Sequence, residues 1–157
     1  MKEVYGSTWT LQLMVGFILL IMAFLTLMIS FSRVSKVKNE VITIIEKYNG
    51  VNDNSLTIIN SYLKSSGYNL TGRCSLDGDI KAISSLDDIS LENPSSSNKY
   101  YYCIKKEQRI NNDIGTLTPI NYEVTLFYKF NIPILGNIAT FTVKGKTTDM
   151  VDKDDVF

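Results

Sequence analysis

The chain has no histidine among its 157 residues, only two cysteines, three prolines and one tryptophan, and its 16 basic side chains are balanced by 16 acidic ones. Without histidine it lacks the side chain that most often serves as general base and metal ligand. Two cysteines are too few for a thiolate-only zinc site. A net charge of zero excludes a nucleic-acid binder that works through a large basic field. Gly72 and Gly78 belong to no Gly-x-x-x-x-Gly-Lys or Gly-x-Gly-x-x-Gly loop, and no Gly-x-Ser-x-Gly elbow occurs. The carboxylate pairs Asp77/Asp79 and Asp87/Asp88 lie in loop-like sequence, where solvated charge is the expectation. The residues therefore point to a non-enzyme with no cofactor, no metal and no nucleic-acid partner.

Charge is also missing from one long stretch. Leu11 to Phe31 is 21 residues without a charged side chain, about the length needed to cross the hydrocarbon of a bilayer as a helix. Gln12 is its only strongly polar member, and Thr26 and Ser30 are expected to return their hydroxyls to carbonyls one turn back. Tyr5 and Trp9 stand just outside, where amphipathic rings favour the headgroup level. A secretory signal has a shorter apolar region and a small-x-small cleavage site. This run ends in Ser30-Phe31-Ser32-Arg33, which offers no convincing site, so a retained anchor is expected. Residues 1–32 are assigned to that anchor and 33–157 to a globular domain.

Beyond Ser32 the pattern turns amphipathic. Val34, Val37, Val41, Ile44, Ile45 and Tyr48 recur at three- and four-residue steps opposite Arg33, Lys36, Lys38, Glu40 and Lys47. Asn49-Gly50 supplies a stop. The sequence thus predicts one helix over 8–48, about 60 Å long, apolar all round in its first half and striped in its second. A second short helix is expected from Asn54 or Ser55 to Ser66, with Asp53, Asn54 or Ser55 as cap and Gly67 as stop.

Strand patterns follow. Tyr100–Ile104 and Ile120–Ile132 read as strands, the latter with Tyr122, Val124, Leu126, Tyr128 and Phe130 on one face and Phe127 among polar residues on the other. Pro133, Gly136 and Asn137 form a turn, and Ile138–Met150 resumes as a strand whose broken alternation calls for a bulge or a late start near Ala139. Ser84–Asn98 reads as a flexible surface connection and Asp149–Phe157 as a solvated acidic tail. Short connections imply an antiparallel meander of three or four strands, covered on its apolar face by 34–48. The fold class is α+β: a long N-terminal helix packed on a small antiparallel sheet.

Cys74 and Cys103 are read as one disulfide closing a loop of about 30 residues, stabilising by roughly 3 kcal/mol on chain-entropy grounds. Arg33, Lys36 and Lys38 on their own favour a cytoplasmic C-terminal side. A disulfide requires the opposite, and that is the orientation adopted here.

The apolar span 11–31 running into 33–48, with the Ile132-Pro133-Ile134-Leu135-Gly136-Asn137 turn and the Phe141–Thr147 strand, resembles pilin-like proteins, in particular the TadE-like minor pseudopilins of tight-adherence (type IV-like) pilus systems. The resemblance implies a membrane-anchored assembly subunit with its head outside the cytoplasmic membrane. Its partners would be the lipid bilayer, other pilin or pseudopilin subunits and the pilus assembly machinery. It makes Gly6 the candidate for prepilin-type cleavage. Leu11 stands where type IV pilins carry a helix glutamate, which points to a minor rather than a major subunit. Gly16 and Ala23 are candidates for close helix approach. The alternative is a single-pass extracytoplasmic binding or sensing domain that works alone.

Overall fold

A computed structural model describes residues 2–108, 119–132 and 136–150, with side chains for 8–108, 119–129 and 140–150. The chain folds as a long helix α1 (Lys2–Lys47), a short helix α2 (Asp53–Ser65) and four strands: β1 (Ile80–Ile83), β2 (Tyr102–Gln108), β3 (Ile120–Ile132) and β4 (Gly136–Lys146). The strands form one antiparallel sheet in sequential order. This is the α+β arrangement expected from the sequence.

The expected helix is continuous and begins earlier, at Lys2 rather than residue 8. It ends at Asn49, which takes the left-handed conformation (φ 54°) while the Gly50 N–H bonds Ile45 O and the Asn49 N–H bonds Glu46 O. The two bonds close the last turn in a Schellman arrangement. Helix α2 ends the same way at Gly67 (φ 69°), with the Tyr68 N–H on Leu63 O. Its cap is Asn52, one residue before the expected choices. The Asn52 side chain accepts from the Ser55 N–H, and the Asn52 N–H donates to Ser55 Oγ, a reciprocal capping box.

The stripe of α1 closes the front of the sheet. Val34, Val41, Ile44 and Ile45 are buried with Leu56, Ile59 and Leu63 of α2 and with Tyr102, Ile104, Tyr122, Val124, Leu126 and Tyr128 of the strands. Strand β3 has the ends expected of it, and its alternate residues from Ile120 to Tyr128 face this core; the side chain of Phe130 lies outside the described residues. The broken alternation of β4 is a bulge: Phe130 pairs Ala139 but Asn131 pairs Asn137, leaving Ile138 unmatched. Strand β2 starts two residues later than expected, because Tyr100 pairs with Gly72 instead.

Strand β1 was not expected, and the 84–98 connection is tied down more than its composition suggests. Glu92 bridges Ala82, and Leu86 and Leu91 pack against the core. The 133–135 part of the expected turn and the 151–157 part of the acidic tail lie outside the described residues.

Candidate functional site: an exposed apolar helix beneath a clipped head

Two features stand out, the first half of α1 and the back of the sheet. No residue from Thr8 to Phe31 is buried. Leu11, Phe17, Leu20 and Met22 are each at least 60% exposed. A helix apolar all round and without cover is not stable in water and needs an apolar surrounding. By length and composition α1 is able to cross a membrane. Two of its hydroxyls are satisfied within the helix, Thr26 Oγ1 donating to Met22 O and Ser30 Oγ to Thr26 O, each at 2.9 Å, as a lipid environment requires.

Gly6 lies within α1. Gly16 and Ala23, seven residues apart, share a helix face. A methyl group added at Gly16 meets nothing within 4 Å. Ala23 is half-buried, as are Leu27 and Ser30, and the three continue the stripe that Val34 begins in the head.

Where the helix enters the head, rings close the joint. Phe31 meets Tyr128 edge-on at 6.5 Å between centroids, and Tyr128 meets Phe141 at 6.0 Å. Beside them a cavity of about 280 Å³ is lined by Arg33, Val37, Tyr68, Tyr128 and Lys129. Cationic side chains thus ring the end of the apolar segment.

The back of the sheet holds a second small core. Cys74 and Cys103 are joined in a disulfide with Cα atoms 5.9 Å apart, and Ile80, Ala82, Tyr100 and Phe127 pack around them. Phe127 sits on the otherwise polar face of β3 because the segment carrying Gly72 and Cys74 crosses there and covers it. A Cβ at Gly72 would collide with the Phe127 ring. The crossing is fixed by Tyr68, whose hydroxyl accepts from the Phe127 N–H (2.8 Å) and donates to Phe127 O (3.0 Å). Burial pushes the Tyr68 phenol up to about 12. The Tyr102 phenol is raised further for the same reason, and its hydroxyl donates to Asn60 Oδ1 at 2.9 Å.

The rest of the back face is charged. Lys144 Nζ lies 2.7 Å from Glu123 Oε1, and Lys146 bridges Glu107 and Glu123. The hydrogen bond from Lys146 holds the Glu107 carboxyl below its ordinary range. A cavity of about 350 Å³ opens here between Arg73, Asp77, Lys105, Glu123 and Lys144. Its charges of both signs neutralise one another across the strands, as cross-strand pairs do. Asp87 pairs with Lys64 and Asp88 accepts from Ser90. Among the described residues no group of three or more His, Cys, Asp or Glu is placed to hold a metal ion.

Comparison with protein-family models, with curated proteins and with solved structures finds no match to this chain.

Proposed function

We propose that the chain is a membrane-anchored, pilin-like subunit, a minor pseudopilin that takes part in assembling a pilus or secretion-type filament. The single observation that carries this reading is the form of α1. One uninterrupted helix of 46 residues is apolar and uncovered in its first half and serves as the spine of a small sheet in its second. Such a helix is held in lipid until lipid contacts can be exchanged for contacts with neighbouring helices, and its exposed Gly16 allows close approach. The disulfide supports placing the head outside the cytoplasmic membrane, where such bonds persist. On this reading the bilayer and other subunits are the partners, and cleavage after Gly6 yields the mature helix.

Photo-crosslinking from Leu19 in native membranes tests the proposal. Adducts with other small membrane subunits, lost in Ala23→Glu, are expected. Adducts with lipid alone would instead mark a single-pass domain acting by itself. Mass spectrometry of the mature N-terminus is expected to begin at Ser7, and a start at Met1 would overturn the cleavage.

A further inference from the structure

Four basic side chains gather where the helix enters the head, and none is answered by an acid. Arg33 and Lys129 border the cavity of about 280 Å³ beside Phe31. Lys129 also borders a second cavity, of about 390 Å³, together with Arg73 and Lys99. Among the described residues no carboxylate lines either cavity, and none of the four cations has an ion-pair partner. The chain has as many acidic as basic residues, so the imbalance here is one of placement. Elsewhere on the head Lys64 pairs with Asp87, and Lys144 and Lys146 pair with Glu123 and Glu107.

The first cavity has a second, apolar character. Val34, Val37 and Leu70 form part of its wall. The Tyr128 hydroxyl on that wall is buried without a hydrogen-bond partner. Two cations and a phenol left unmatched mark a place that the protein's own network does not complete.

The level of this cavity along α1 is fixed by direct contact. Phe31 is the last residue of the uncharged run, and its ring meets Tyr128, the neighbour of Lys129. Arg33 is two residues further along the helix, a rise of about 3 Å. With Leu11–Phe31 in the hydrocarbon, the cavity opens at the headgroup layer, where lipid phosphates lie. We infer that this cavity binds the phosphate headgroup of an anionic phospholipid, with Arg33 and Lys129 as its cationic donors and the apolar wall against the glycerol end. Arg33 offers the forked donors that match phosphate oxygens, and Lys129 a compact point charge. A zwitterionic headgroup brings its own cation into a patch that already holds four, and is disfavoured. The head is thereby held to the leaflet at a point beside α1, and the chain prefers an anionic membrane.

The inference rests on the membrane reading of α1, and the test separates the two. Full-length protein in a neutral detergent is mixed with dioctanoyl phosphatidylglycerol, dioctanoyl phosphatidylcholine or glycerol phosphate, and retained adducts are measured by native mass spectrometry. Wild type is expected to retain phosphatidylglycerol about tenfold better than phosphatidylcholine, and Arg33→Gln/Lys129→Gln to lose that preference. Lys36→Gln/Lys47→Gln removes the same charge from exposed positions of α1 outside both cavities, and should keep it. No preference in wild type, or equal loss in both variants, overturns the site. Glycerol phosphate retained as well as the lipid assigns the cavity to a soluble phosphate and overturns the lipid. A reduction-sensitive gel shift from Cys74–Cys103 checks that each variant folds. In flotation with phosphatidylcholine vesicles, wild type and Arg33→Gln/Lys129→Gln should both rise with the lipid, because α1 anchors them without the site. Wild type that fails to float overturns the membrane reading and this inference with it.

Discussion

The Tyr68 hydroxyl accepts a hydrogen bond from the Phe127 N–H and donates one to Phe127 O, standing in for a strand neighbour where β2 has not yet begun. Tyr68 is also the first residue past the Gly67 stop of α2. A helix end, the open side of β3 and the start of the segment that covers the back of the sheet thus meet at one phenol.

Tyr68→Phe strands both backbone groups of Phe127 in a buried place. A loss of about 1–3 kcal/mol is expected, the usual cost of an unsatisfied buried pair, measured by urea unfolding. The wild type also carries a pH signature. The folded phenol titrates near 12 against an ordinary value of 10, so the unfolded chain gives up its proton first. The stabilising contribution is full below pH 10 and is lost as pH rises toward 12. Tyr68→Phe should make that alkaline decline shallower, with the share of the still higher Tyr102 phenol remaining, and an unchanged slope would refute the assignment.

Cys74 and Cys103 are 29 residues apart. Removing the bridge in Cys74→Ser/Cys103→Ser frees a loop of that length in the unfolded chain and should cost roughly 3–4 kcal/mol. The loss should appear as a lower unfolding midpoint in the double variant, with the exposed half of α1 unaffected in its helix content.

Gly72 and Gly145 are both tight, for different reasons. A methyl at Gly72 meets the buried Phe127 ring, which has nowhere to go between the disulfide and the sheet. Gly72→Ala should destabilise by about 1–3 kcal/mol through overpacking. A methyl at Gly145 meets only the ends of the Ile42 and Lys38 side chains, which can swing aside. Gly145→Ala should stay within about 0.5 kcal/mol of wild type, and thermal melts of the two variants should separate them.

The parts of this fold that were legible in the sequence are those set by periodicity over many residues. The uncharged run, the stripe 34–48 and the alternation of 120–132 each repeat often enough to fix an element and its buried face. The unmatched residue in β4 could be read as well, since Ile138 and Phe141 differ in parity. What stayed hidden depends on contacts distant in sequence. Ile80–Ile83 is four residues without alternation, and it becomes a strand only because β2 pairs with it. Phe127 stands among polar neighbours in the sequence, and only the Gly72–Cys74 segment lying across it accounts for its burial. The sequence does not single out Asn52 as the cap, because three equally good capping residues follow it. The tie between Asn60 and Tyr102 leaves no local trace at all.

On the proposed reading α1 anchors the chain and the disulfide-clipped head lies outside the cytoplasmic membrane. Ser97 is exposed on that head, far in sequence from the anchor. The most direct test is Ser97→Cys in intact cells, treated with a membrane-impermeant thiol reagent before fractionation. Full labelling without lysis is expected, in protein recovered from the membrane fraction. A cysteine that reacts only after the cells are broken would contradict it.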